Sequence, residues 1–268
     1  MSSVEISDRP AGVGAPRRAP VRWPWIVTAL AWGVALAATL LHLRFLIDHH
    51  WLIQGSGLPW LAAAIVFLAC WQVMTLAMML PSSVPMLRLM TYAARKQERP
   101  TKILAAFLLG YALIWSAFAL AALTGDTVIH GAVDRSHWLA AHSYLIGTAT
   151  FAIAGIVQFT PLTERCLRAC RSPLGFFARY YRAGEAGAWR LGLRHGLFCL
   201  GCCWALMLVM FGVGVGSLVW MAALAGVMTV EKAVPGGRRI VPLVGVALLL
   251  LAALWLLHPA WLVPSVAA

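Results

Sequence analysis

Sulfur-containing residues in this sequence recur at helical spacing. The chain has six cysteines and ten methionines among its 268 residues. Residues that are four apart lie on one face of an α-helix, so a run with this spacing predicts a stripe of sulfur atoms. Two such runs occur: Cys70, Met74 and Met78 in the first, and Cys199, Cys203 and Met207 in the second.

These side chains are soft donors, and soft donors select Cu(I) among the available metals. Zinc instead takes four tetrahedral nitrogen or sulfur ligands, often from two Cys-x-x-Cys or His pairs. The sequence has one Cys-x-x-Cys, formed by Cys199 and Cys202, and its other soft donors are mainly methionines. The pattern therefore predicts a Cu(I) site. The alternative is that these residues are ordinary apolar packing, a common use of methionine.

The candidate ligands fall into two groups. Because Cu(I) takes only a few soft ligands, several candidates must be relay residues, supporting residues or packing. The primary candidates are Met74, Met78, Cys199, Cys202, Cys203 and Met207, and the secondary ones are Met79, Met86, Cys70, Cys166 and Cys170.

A repeated pentad links the two runs. Cys70-Trp71-x-x-Met74 and Cys203-Trp204-x-x-Met207 have the same pattern, about half a chain apart. Repeats of this kind occur in membrane proteins built from two inverted halves with a site at the midplane. We therefore expect an inverted repeat of three plus three helices, with one further helix.

The elements that carry these residues are predicted from hydropathy. The chain is 62% hydrophobic and 11% charged, with a mean hydropathy of +0.82, whereas soluble domains are near half apolar and about a quarter charged. An all-α bundle with about seven transmembrane helices is predicted, since a span needs about 20 apolar residues. The predicted spans are Trp25–Ile47, Trp60–Leu80, Ile103–Leu123, Ala141–Phe159, His195–Gly212, Ser217–Val234 and Ile240–Leu257. The fifth and sixth are short, and one broken element is the alternative for them.

The net charge of +12 is explained by topology. With the N-terminus inside, nineteen of the 21 Lys and Arg residues fall on the inner side, as the positive-inside rule requires. We therefore expect a multi-pass membrane protein with a cytoplasmic N-terminus and a periplasmic or extracellular C-terminus. The lipid bilayer is its expected partner, and nucleic acid is not.

Three regions complete the predicted organisation. Residues 1–24 form a disordered basic tail, residues 25–258 form one transmembrane domain, and residues 160–194 form a cytoplasmic loop. In this loop Cys166 and Cys170 would share a helix face, either to pass metal to a cytosolic acceptor or as part of a surface-lying amphipathic segment.

Two further features concern the inner ends of the spans. Pro81 and Pro85 remove backbone donors, so we expect the second helix to end or kink there. Glu231 and Lys232 lie near the end of the sixth span, where they would snorkel or pair with each other. Almost no other charge falls within the spans, which argues against a proton pump.

The motifs together resemble a bacterial family of integral membrane proteins described as predicted metal-binding proteins or copper chaperones. The resemblance covers roughly residues 60–235 and implies a multi-helix inner-membrane protein with a metal site. Its implied cargo is copper, and it implies a partner protein that donates or accepts copper. Its motifs are Trp71-x-x-Met74-x-x-x-Met78-Met79-x-Pro81, Pro-Leu-x-x-x-Cys166-Leu-x-x-Cys170-Arg, Gly196-x-x-Cys199-x-Gly201-Cys202-Cys203-Trp204-x-x-Met207 and Met221…Met228-x-x-Glu231-Lys232.

Competing functions remain open from sequence. In a small-molecule permease or a membrane assembly subunit, the sulfur stripes would be packing. A membrane oxidoreductase would use Cys199 and Cys202 for thiol–disulfide exchange. No Ser/His/Asp set or His-Glu-x-x-His motif occurs, so the expectation is that the protein is not an enzyme. Convergence of the two sulfur stripes favours a metal site, and stripes that face lipid exclude it.

Overall fold

The computed structural model describes residues 22–43, 51–214 and 217–258, and in these ranges the chain is helical without strands. This confirms the predicted all-α class. A π-helical turn at Trp51–Gly55 precedes α2, and a 3-10 turn at Gly237–Arg239 precedes α10. The helices are α1 (Trp23–Leu40), α2 (Trp60–Ala94), α3 (Pro100–Arg135), α4 (His137–Ala141), α5 (Tyr144–Gln158), α6 (Pro161–Arg171), α7 (Pro173–Tyr180), α8 (Glu185–Val213), α9 (Leu218–Ala233) and α10 (Val241–Leu257).

Among the described residues, five helical segments are long and apolar enough to cross a membrane: α1, α2, α3, α8 and the segment Gly237–Leu257 that contains α10. The pair α5 and α6 adds a sixth if it counts as one span, although its two helices are bent by 65°. The predicted sixth span corresponds to α9, which is a separate helix of only 16 residues. The count of seven spans and the inverted repeat therefore stay predictions.

The sequence predicts that α2 ends or kinks near Pro81; the helix does not end there, because it continues through both of its prolines. A proline at position 81 leaves the carbonyl of Ala77, one turn earlier, without its helical donor. The indole Nε1 of Trp32 in α1 donates to this carbonyl at 3.1 Å. The Ser82 hydroxyl also donates to the Met79 carbonyl at 2.9 Å. The Trp32 indole therefore replaces the donor that Pro81 removes, and α2 runs for 35 residues.

Helix α8 is the centre of the arrangement. It packs against α3, α5, α6 and α9, while α2 packs against α1, α3 and α9. The close approach of α3 to α8 depends on glycine: a Cβ on Gly110 would lie 2.6 Å from the Trp189 carbonyl oxygen, and a Cβ on Gly192 would collide with the Phe107 carbonyl oxygen. Small residues allow helix backbones to pack this closely.

The predicted loop at 160–194 is largely helical. It contains α6, α7 and the first residues of α8. Thr160 caps the N-terminus of α6, because its side-chain oxygen accepts a hydrogen bond from the Thr163 backbone N–H. Of the predicted tail at 1–24, residues 1–21 lie outside the described residues, and α1 begins at Trp23.

Two hydrophobic clusters form the core. The larger one contains sulfur residues from α2, α6, α8 and α9. The smaller one lies against α3 and α7 and contains Met86 and Met90. The larger cluster therefore holds Met74 and Met78 of the first predicted sulfur stripe and all three residues of the second.

Candidate metal centre

Three sulfur atoms converge on one amine in the larger cluster. The Nζ atom of Lys232 lies 3.3 Å from Cys199 Sγ, 3.5 Å from Cys203 Sγ and 3.7 Å from Met79 Sδ. Cys203 Sγ also lies 3.8 Å from Met79 Sδ. We call these three sulfur atoms and the amine the sulfur centre. It joins three helices that are distant in sequence: α2, α8 and α9.

Helix α8 supplies both thiols of the sulfur centre from one face. Cys199 and Cys203 are one turn apart, and the Cys203 thiol donates to the Cys199 carbonyl at 2.8 Å. Cys202 donates to the same carbonyl at 3.1 Å. The Tyr111 hydroxyl of α3 lies 3.2 Å from Cys199 Sγ. Side-chain contacts therefore hold the Cys199 thiol from both α3 and α9.

The end of α9 positions Lys232. Arg171 of α6 donates from Nη1 to the Glu231 carbonyl at 2.8 Å and from Nη2 to the Val234 carbonyl at 3.0 Å. These bonds satisfy carbonyl groups that a helix C-terminus leaves without donors. The Glu231 carboxylate accepts a hydrogen bond from Gln158 Nε2 at 3.2 Å. The sequence left snorkelling or a Glu231–Lys232 pair as the alternatives, but the structure buries both residues and gives each a different partner.

His195 lies one turn before Cys199 on the same helix. Its ring is buried and stacks on Tyr111 at 5.5 Å and on Phe107 at 6.0 Å between centroids. Among the described residues its Nε2 atom has no hydrogen-bond partner. Sequence analysis did not select His195 as a ligand, although its spacing of four from Cys199 was the available signal. It is a nitrogen donor beside the sulfur centre.

The cysteines of α6 extend the group of sulfurs towards the end of the bundle. Cys166 packs against α8 where Gly201 has no side chain, since a Cβ there would lie 2.5 Å from Cys166 Sγ. The Cys170 side chain interacts electrostatically with the Cys202 thiol of α8. Cys166 is buried and Cys170 is partly exposed. Helix α6 therefore presents both of its cysteines to the cysteine run of α8.

The remaining predicted ligands differ in their surroundings. Neither stripe faces outward, because Met74, Met78 and Met207 are at most 5% exposed. These three methionines belong to the same cluster as the sulfur centre. Met86 belongs to the smaller cluster, and Cys70 is partly exposed and belongs to neither cluster as the described residues define them. Met79, a secondary candidate, makes the contacts given above.

The donor set is soft. Within the described residues, no group of three or more His, Cys, Asp or Glu side chains has the arrangement of a metal site. The sulfur centre is a different kind of group, because one of its sulfur atoms belongs to Met79. Two thiols and one thioether fit a soft monovalent metal better than they fit zinc.

Comparison with protein families gives a match over most of the bundle. A family model described as PpoB2, copper chaperone, matches residues 67–255, which is more than half of the 268-residue chain. Neither the curated proteins nor the solved structures gave a match. The matched range includes every residue of the sulfur centre, and it confirms the resemblance drawn from the sequence motifs. The chain therefore belongs to this copper chaperone family.

Proposed function

We propose that this protein binds Cu(I) as cargo at the sulfur centre and hands it to a partner protein or moves it across the membrane. The observation that carries the proposal is the convergence of Met79, Cys199 and Cys203, from two helices, on one buried point. Membership of a copper chaperone family supports copper as the metal.

The chemistry of the centre favours the +1 state of copper. Thiolate and thioether sulfur atoms select Cu(I), whereas imidazole and oxygen donors suit harder or borderline ions. Met79 is the discriminating ligand, because a thioether contributes little to zinc binding. No catalytic step is proposed for these residues.

The other candidate ligands would bind the metal ion before or after it occupies the sulfur centre. Cys202 interacts electrostatically with Cys170, so a metal ion leaving Cys199 and Cys203 would find further thiols on the adjacent helix. Transfer of this kind proceeds by stepwise ligand exchange between sulfurs that lie close together. Cys166 and Cys170 would then be the residues nearest to an accepting protein, and Met74, Met78 and Met207 would line the buried side of the centre.

The proposed location is the bacterial inner membrane, with the N-terminus in the cytoplasm. The apolar helices support insertion in a bilayer, and the distribution of Lys and Arg supports this orientation. Lys232, Cys166 and Cys170 then lie towards the cytoplasmic side. This places the proposed exit on the side where a reducing environment keeps thiols available.

Metal analysis of the purified protein tests the proposal. The chain is loaded with Cu(I) without oxygen, freed of excess metal, and compared with Cys199→Ser and Cys203→Ser. We expect stoichiometric copper in the unaltered chain and at least about a tenfold lower affinity in each variant, since even changes around a metal site weaken binding by about 10–100-fold.

Cys70→Ser is the matched control, because Cys70 is a membrane-helix cysteine outside both clusters. It should retain the affinity of the unaltered chain. Equal copper in all four proteins would refute the sulfur centre as the binding site. Absence of copper from the unaltered chain would favour the packing role that a permease or an assembly subunit implies.

A further inference from the structure

The amine of Lys232 lies among the three sulfur atoms of the sulfur centre. Its Nζ atom lies within 3.7 Å of all three sulfur atoms, and the residue is 6% exposed. Lysine side chains near helix ends normally extend their amine towards water. Here the amine points into the core instead, although exposed residues follow it directly at 233–236.

The partners of Lys232 are also unusual. Its neighbour Glu231 is buried and carries a carboxylate, the ordinary partner of a buried amine. That carboxylate accepts its hydrogen bond from Gln158 on another helix. Lys232 contacts sulfur atoms, which are weak acceptors. The position of the amine is therefore specified by the sulfur centre rather than by a carboxylate.

Coordination of copper and this lysine position exclude each other. Metal–thiolate bonds are short, about 2.3 Å for zinc, so an ion bound by both Cys199 and Cys203 lies between their sulfur atoms. The amine lies 3.3 and 3.5 Å from the same two atoms. Two positive charges at this separation in a buried site repel each other strongly.

We propose that Lys232 is the specificity- and release-determining residue of the site: its ammonium group holds the place of the cargo until Cu(I) displaces it. This inference rests on the proposed function. The ammonium group and Cu(I) both carry a single positive charge, so replacing one by the other adds no positive charge to the sulfur centre; each thiol that becomes a thiolate ligand releases its proton to solvent. A divalent ion would not preserve that balance.

The displaced amine moves towards the exposed segment at 233–236, which begins at the next residue. Its return to the sulfur centre then competes with the bound ion. This competition weakens retention and speeds release to an acceptor, as a transfer protein requires. Arg171 keeps the α9 backbone in place during the exchange, since it bonds the carbonyls on both sides of Lys232.

Competition with a chromophoric Cu(I) chelator tests the inference. Lys232→Gln removes the charge at similar length, and Lys232→Arg retains a cation. We expect Lys232→Gln to bind Cu(I) on the order of tenfold more tightly, or about 1.4 kcal/mol, and to release it to the chelator correspondingly more slowly. Lys232→Arg should behave like the unaltered chain.

The outcomes separate this inference from the proposed function. If copper binding depends on Cys199 and Cys203 but Lys232→Gln binds no more tightly than the unaltered chain, the inference is wrong and the sulfur centre stands. Equal tightening by Gln and Arg would also overturn it, because the retained cation would then not compete. If the unaltered chain binds no copper, both proposals fail.

A second measurement needs no variant. The chain has three lysines, and Lys96 and Lys102 are exposed whereas Lys232 is buried. We expect labelling of Lys232 by a small amine-reactive reagent to rise when Cu(I) is bound, while the labelling of Lys96 and Lys102 stays constant. Unchanged or reduced labelling of Lys232 in the copper-loaded chain would contradict its displacement.

Discussion

Replacement of Gly110 by alanine should push α3 away from α8 and loosen the sulfur centre. The new Cβ atom would lie 2.6 Å from the Trp189 carbonyl oxygen and 3.0 Å from the Leu193 backbone nitrogen, while ordinary contact begins at 3.4 Å. Both obstacles are backbone atoms of α8, so no side chain can turn aside. The helices must separate by about 0.8 Å, the difference between 3.4 and 2.6 Å.

The magnitude follows from overpacking, which typically costs about 1–3 kcal/mol. In a chain of this size, each kcal/mol lowers the melting temperature by about 2–4 °C. The expected decrease is therefore roughly 2–12 °C. Tyr111 follows Gly110 directly, and its hydroxyl lies 3.2 Å from Cys199 Sγ. This contact should lengthen, which lowers Cu(I) affinity as well.

Thermal unfolding in detergent, followed by tryptophan fluorescence, measures the first effect, and chelator competition measures the second. Gly125→Ala is the matched control in the same helix, because no atom lies within 4 Å of its new Cβ. Gly192→Ala probes the same contact from α8 and should also destabilise the chain. The reasoning is refuted if Gly110→Ala unfolds at the same temperature as Gly125→Ala.

Two smaller predictions concern the groups around α9. Gln158→Leu leaves the buried Glu231 carboxylate without its amide donor, so the free energy of unfolding should fall by about 1–3 kcal/mol in denaturant titration; no loss would mean that another donor replaces the amide. Glu164→Gln removes an ion pair with Arg238 whose side chains are 45% and 68% exposed. Exposed pairs contribute about 1 kcal/mol or less to stability. The free energy of unfolding from the same titration should therefore change by less than that value. A larger loss would show that this ion pair holds α6 against the turn before α10.

Periodicity in the sequence was sufficient to predict the helical class and to place Cys199 and Cys203 on one face. Both depend on local rules that need no knowledge of neighbouring helices. A metal site also required that the sulfur stripes do not face lipid, and Met74, Met78 and Met207 are buried. Spacing along the sequence predicts which residues share a face because most of the described residues lie in helices.

The contacts between helices could not be read from the spacing. Met79 lies about 100° around α2 from Met78, and only the packing of α2 against α9 decides which side chain reaches Lys232. To predict that Lys232 is buried, one would have to know how deeply α9 lies in the bundle, and α9 is shorter than a typical span. In each case the missing information was the relative placement of two distant helices.

The prolines of α2 show the same limit. Pro81 predicted an end or a kink in the helix because the rule considers the donors within one segment. The donor that satisfies Ala77 comes from Trp32, 45 residues earlier in the chain. A local rule cannot include such a partner.

The Trp32–Ala77 hydrogen bond also has a consequence for biogenesis. Chains are synthesised from the N-terminus, so α1 precedes α2 and is present when the segment with Pro81 arrives. An apolar environment offers no water to the free carbonyl, but the Trp32 indole is already available to it. The hydrogen bonding of α2 at Pro81 thus depends on a helix that is synthesised before it.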